Sequence, residues 1–220
     1  MFLILFSLAV VGLVFFIRSD FFAISNISVQ GSVNVLKEDV LAACGVKEGD
    51  NIFSFNTSRV QDLIRAIPKV KNASVIRVYP DTVRIVVTER VPFMLVFSEG
   101  VYYGVDDEGR VLTKGTEISS ASGVVVSGVS GVALEQGDML DYFSSAQLAT
   151  AYQILSFFRS GGQLEDISEI YISPSGCYYV YTKKATVIKF YSLDAFNANK
   201  EFISNFVANE DRHIMVEVIE

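Results

Sequence analysis

The sequence predicts an α+β chain in three parts: an apolar N-terminal helix over residues 1–20, a small mixed domain over 21–90, and a mostly antiparallel β-rich domain with two helices over 91–220. Three observations carry this. Met1 to Ile17 contains no charge before Arg18; Ile24 to Arg90 reads as strand, helix, helix, strand, strand; and from Val91 onward short β-branched and aromatic runs alternate with turn residues. Half of the 220 residues are hydrophobic and a fifth are charged, so packed cores rather than disorder are expected.

At a rise of 1.5 Å per residue the first apolar run spans about 26 Å. That is slightly short of a ~30 Å hydrocarbon core but extendable through Ser19 to Phe22, with Arg18 snorkelling. A membrane anchor is expected over a cleaved signal peptide, because no basic stretch precedes the run and the nearby small-x-small site, Ala23-Ile24-Ser25, lies beyond Phe21-Phe22. Arg18 follows the span and is offset by Asp20, a weak vote for a cytoplasmic main body. A chain that begins inside its own span suggests a natural start further upstream, with a basic tail.

In the second part, Ile27 and Val29 share one side of a strand that Gly31 ends. Leu36, Val40, Leu41 and Cys44 form one helical face closed by Gly45, and Asn56, Thr57 or Ser58 caps a second helix with the stripe Val60, Leu63, Ile64 and Ile67. Pro68 stops it. Val70 to Pro92 then reads as a hairpin about Tyr79-Pro80-Asp81-Thr82. Its second strand alternates Val83, Ile85 and Val87 against Arg84, Thr88 and Arg90, while the first lacks a single parity at Val75, Ile76 and Val78.

This order, together with Val75-x-Arg77-x-Tyr79-Pro80-x-Thr82-Val83-x-Ile85-x-Val87-x-Glu89-Arg90-x-Pro92, resembles the POTRA domain of the bacterial cell-division proteins FtsQ and DivIB. The run Val105-Asp106-Asp107-Glu108-Gly109-Arg110-Val111-Leu112 is similar to one that follows POTRA in that family. The resemblance covers nearly the whole chain. It implies a non-enzymatic scaffold of the division machinery, held in the cytoplasmic membrane by a single span with its bulk extracytoplasmic, and recruiting FtsB/DivIC-like and FtsL-like proteins at the septum. It places partner binding in the terminal strand, here Ile214, Met215, Val216, Glu217, Val218 and Ile219, and puts Lys200 at a helix lysine of the family. The match is imperfect there: the family carries something like Asp-Leu-Arg-Tyr and a further strand, where this chain has Val216-Glu217-Val218-Ile219 and stops at Glu220. Thr186 to Phe190 also lacks a glycine frequent in relatives.

In the third part, strands are expected at Met94–Phe97, Val101–Val105, Arg110–Leu112, Val124–Ser127, Ile167–Ile172, Cys177–Thr182, Thr186–Tyr191 and Ile214–Ile219. One helix, capped by Ser144 or Ser145, carries Leu148, Ala151, Tyr152 and Leu155; a second carries Phe196, Lys200, Ile203, Phe206 and Val207. Ile214, Val216 and Val218 share a face and are expected to be buried, and proline at Val216 or Val218 to remove a ladder donor that a partner needs.

Several function classes are disfavoured. A net charge of −7 opposes nucleic acid, whose backbone attracts clustered Lys and Arg. No nucleophile elbow, phosphate-cradling loop or dinucleotide fingerprint occurs, so neither a cofactor nor a small-molecule substrate is expected. Nothing in the sequence brings Cys44 or Cys177 to His213, the sole histidine, and both cysteines read as apolar core residues. The acidic run Asp106-Asp107-Glu108 reads as a solvated turn rather than a metal site. A POTRA-bearing transport protein would continue into a long barrel, and a membrane-anchored envelope enzyme would need a pocket with converging titratable groups.

Overall fold

A computed structural model describes residues 2–118, 123–209 and 213–218. The chain divides into two compact units, Met1–Arg90 and Val91–Glu220. The first opens with helix α1 (Phe2–Ile17), 16 residues long and without a buried side chain. It extends about 24 Å, and among the described residues no helix is long and apolar enough to cross a membrane. A single 3-10 turn, Asp20–Phe22, leads into the mixed part.

That part places β1 (Asn26–Gln30), α2 (Lys37–Cys44), α3 (Thr57–Arg65), β2 (Val70–Val78) and β3 (Thr82–Glu89) in a three-stranded sheet of order β1-β3-β2. β1 runs parallel to β3, and β2 antiparallel to it. Asn56 caps α3 by accepting from the N–H groups of Ser58 and Arg59, and Gly45 closes α2 in the left-handed region at φ 65°, where a side chain would be strained. Ile27, Val40, Cys44, Val60, Ile64, Val83, Ile85 and Val87 share one core. Leu36 and Leu63, expected on the buried stripes, are exposed. Leu36 is the N-cap residue of α2 and still has extended backbone, while Leu63 lies beside the narrow seam that Val60 and Ile64 bury.

The mixed parity at Val75, Ile76 and Val78 reflects apolar residues on both faces of β2, with Val75 in the core and Ile76 and Val78 on the other face; a separate bulge lies between Val70 and Asn72. The bulge shifts the register so that Val70 shares the buried face with Ala73 and Val75 despite their opposite parity.

The second unit is built on one eight-stranded sheet. In chain order its strands are β4 (Met94–Ser98), β5 (Val101–Val105), β6 (Val111–Gly115), β7 (Val124–Ser127), β8 (Ile167–Ile172), β9 (Tyr178–Thr182), β10 (Val187–Phe190) and β11 (Met215–Val218). Their order in space is β11-β10-β9-β8-β7-β4-β5-β6. As expected, most of the pairings are antiparallel, but the sheet is mixed. The β4/β5, β5/β6, β8/β9 and β9/β10 pairs are antiparallel, but β4/β7, β7/β8 and β10/β11 are parallel. Each parallel pair requires a long crossover, and two of those crossovers contain the helices.

These helices number three among the described residues: α4 (Ala146–Ser160), α5 (Leu193–Ala198) and α6 (Lys200–Asn209). The single helix expected around Phe196 and Ile203 breaks at Asn199, whose side chain donates back to the Ala195 carbonyl at 2.9 Å and whose φ of −115° leaves the helical region. Leu155, Phe158, Phe196, Ile203 and Val207 pack with Ile170, Val180, Ile188, Phe190 and Val218 in the main core. The helices therefore cover one face of the sheet.

The acidic turn after β5 is not uniformly solvated. Asp106 is only 1% exposed, because its carboxylate accepts the N–H groups of Glu108 at 3.0 Å and Arg110 at 2.8 Å, closing the turn from within. Asp107 pairs with Arg159 at 3.1 Å.

Candidate partner-binding edge

The crossover through α5 and α6 returns the chain to lay β11 on the outer side of β10, with Val187 opposite Met215, Ile188 opposite Val216, Lys189 opposite Glu217 and Phe190 opposite Val218. Among the described residues no strand lies beyond β11. Its backbone is thus the open edge at this end of the sheet.

The register fixes which groups point outward. Val187 donates to the Ile214 carbonyl at 3.0 Å. Because backbone groups of successive residues in a strand point to opposite sides, Val216 and Val218 bond toward β10, whereas the N–H and C=O of Met215 and Glu217 face away from the sheet. A proline at Val216 or Val218 would therefore break the protein's own ladder, not a partner's. The outward donors belong to the two alternate residues.

The side chains follow the same alternation. Val218 is buried in the core, Ile214 and Val216 are half-buried, and Met215 and Glu217 are exposed. The expected burial of Ile214 and Val216 is reduced because an edge strand has a neighbour on one side only. Ile219 lies outside the described residues. Lys200 opens α6, and its ammonium sits 5.5 Å from the ring centre of Phe157 on α4, a position on the helical layer rather than on the edge strand.

One cluster beside the edge carried no signal in the sequence beyond ordinary alternation. Lys189 donates to Glu217 at 2.8 Å and to the Tyr191 hydroxyl at 2.7 Å, and the Tyr191 hydroxyl itself donates to Glu217. The Lys189 hydrogen bond, then that of Tyr191, holds the Glu217 carboxyl below its ordinary value, and the bonds to Glu217, then to Tyr191, raise Lys189. Lys189 lies opposite Tyr179, and Tyr179 opposite Tyr171. A half-buried row thus runs across the helix-free face to the edge.

This arrangement offers backbone hydrogen bonds, an exposed methionine and a fixed charge pair. Among the described residues no group of three or more His, Cys, Asp or Glu side chains could hold a metal. Cys44 and Cys177 are buried thiols in different units, and His213 is exposed.

Residues 22–90 match the family model described as "POTRA domain, FtsQ-type". The chain is 29% identical over 168 residues to the cell division protein FtsQ of Syntrophotalea carbinolica, an alignment covering 74% of this chain and 57% of that one. The chain thus carries an FtsQ-type POTRA domain and is similar to the FtsQ and DivIB cell-division proteins. Geobacter sp. strain M21 has an FtsQ that is 27% identical over 188 residues, covering 77% of this chain and 61% of the relative. The cell division protein DivIB of Clostridium acetobutylicum is 28% identical over 113 residues, 51% of this chain and 45% of that protein. The chain spans about half the length of the curated relatives it matches.

Proposed function

We propose that this chain is a non-enzymatic scaffold of the bacterial division machinery, anchored in the cytoplasmic membrane by α1 with its bulk on the extracytoplasmic side. In this reading residues 1–20 are the anchor, 21–90 the POTRA domain and 91–220 the recruiting domain. The open edge of β11 carries the proposal. An extended segment of a FtsB/DivIC-like partner, itself associated with a FtsL-like protein, adds to the sheet there, using the outward backbone of Met215 and Glu217 for affinity. Met215 and the Lys189–Glu217 pair supply side-chain selectivity. Relatives named as cell division proteins support the septal role.

Insertion of α1 is supported by its exposed, uncharged side chains, which have a favourable solvent only in lipid or protein. Its modest length is accommodated by local thinning or by the residues that flank it.

The test is septal recruitment by single-proline variants. Met215→Pro and Glu217→Pro each delete one outward donor while sparing the backbone bonds to β10, Glu217→Pro also removing the carboxylate that Lys189 pairs with, and both are expected to abolish capture of the partner in folded protein. Capture at the unmodified level by both variants would refute edge addition.

A further inference from the structure

The structure places a connected set of aromatic rings at one end of the POTRA unit. Phe16 on α1 meets Phe22 at a centroid distance of 5.2 Å, Phe22 meets Phe53 at 5.1 Å, and Phe53 stacks on Tyr79 at 5.4 Å. Phe21 joins both Phe16 and Phe22, at 5.8 and 5.0 Å. Clustered rings are ordinarily buried, but here Phe16 is 53%, Phe21 58%, Phe53 40% and Tyr79 57% exposed.

The set lies at the end from which α1 departs. Asn51 donates its side-chain amide to the Ile17 carbonyl at 2.7 Å, satisfying one of the open carbonyls at the helix C-terminus. Ala23 forms an isolated bridge with Asn51, and Ile52 donates to the Phe22 carbonyl at 2.9 Å. The β2–β3 turn closes on the same end, since Ser25 donates its backbone N–H to the Asp81 carbonyl at 2.8 Å. Three chain segments distant in sequence therefore bring their rings to the base of α1. Val33, 87% exposed, lies past the opposite end of β1.

We infer that this aromatic collar seats the POTRA unit on the phospholipid headgroup boundary, so that the domain rests on the bilayer instead of standing away from it on a linker. The inference rests on the reading of α1 as a membrane helix. The collar joins α1 through Phe16; Tyr79, with an apolar ring and a polar tip, favours the interface over either water or hydrocarbon, and the exposed area of the phenylalanines gains by leaving water beside it. Asp20, Asp50 and Asp81 belong to the same segments, with Arg18 beside them. Contact is therefore driven by the rings and does not require anionic lipid.

The chain contains no tryptophan, so each single substitution reports alone. Full-length Leu8→Trp, Phe53→Trp, Tyr79→Trp and Val33→Trp variants would be reconstituted in phosphatidylcholine vesicles brominated either near the headgroup or deep in the acyl chain. Leu8→Trp is expected to be quenched most by deep bromines, and Phe53→Trp and Tyr79→Trp most by shallow ones, with blue-shifted emission. Val33→Trp is expected to stay unquenched. Quenching of Leu8→Trp with none at positions 53 and 79 would overturn the collar and leave the anchor standing. Absence of quenching at position 8 would remove the anchor and the collar together.

Discussion

Glu89, the penultimate residue before the second unit, closes the POTRA sheet against its own first loop, and removing it gives a sharp quantitative test. One carboxylate oxygen accepts the consecutive backbone N–H groups of Val33, Asn34 and Val35 at 2.5, 2.7 and 2.8 Å, and the other accepts the Asn34 amide at 3.0 Å. Three successive amides converging on one oxygen form an anion-binding concavity. Hydrogen bonds to a charged group contribute about 1.5–3 kcal/mol each, but Glu89 is half-exposed and water replaces part of what is lost. Glu89→Ala should therefore cost on the order of 2–3 kcal/mol in all. For a unit of this size that corresponds to a fall of about 10–20 °C in its melting temperature. Glu89→Gln, which keeps one acceptor and loses the charge, should cost about half as much.

The same contacts give a pH signature. Desolvation pushes the Glu89 carboxyl up, but the hydrogen bonds from Val35, Val33 and Asn34 outweigh it and leave the value lowered. A carboxyl lowered on folding contributes stability that is fully present above the unfolded value, near 4.3, and is lost as pH falls through the lowered value. Calorimetry of the full chain at pH 7 and below 4, with hydrogen exchange at Val33 to Val35, checks both effects. Unchanged melting of the POTRA transition in Glu89→Ala, with protection of those amides retained, would refute the reasoning.

Three further outcomes concern the second unit. Asp106→Ala strips acceptors from two turn amides in a site that is almost completely buried, and should lower stability by about 2–3 kcal/mol in denaturant titration. Gly128→Ala should leave little folded protein on expression, because Gly128 has φ +83° and an added Cβ would stand 1.9 Å from the Ile172 carbonyl oxygen. Lys189→Met removes the first of the hydrogen bonds that lower Glu217, so an NMR titration should find that carboxyl shifted upward toward its ordinary value, with the fold unchanged.

How much of this was legible in the sequence depended on the range of the interaction. Val83, Ile85 and Val87 showed their burial through simple alternation, and residue type narrowed the caps to Asn56, Thr57 or Ser58 and to Ser144 or Ser145, of which Asn56 and Ser145 serve. β2 hid its pattern because Ile76 and Val78 put apolar side chains on the face opposite Val75, so hydrophobicity alone did not mark the core side, and no residue announced the bulge after Val70. The break at Asn199 was hidden by a hydrophobic spacing that continues across it from Phe196 to Ile203. The parallel neighbours of β7 depend on contacts between Val124–Ser127 and strands on both sides that are far apart in sequence, which periodicity does not encode. At the candidate edge, alternation of Ile214, Val216 and Val218 gave the side-chain faces. The direction of the backbone donors depended on register against β10, so the proline-sensitive positions moved from the valines to Met215 and Glu217.

The most direct test of edge addition is residue-resolved hydrogen exchange on β11, with and without the extracytoplasmic part of a DivIC-like partner. The account predicts that the Met215 and Glu217 amides gain protection in the complex, while those of Val216 and Val218, already bonded to β10, change little. A complex that forms without slowing exchange at Met215 and Glu217 would contradict it.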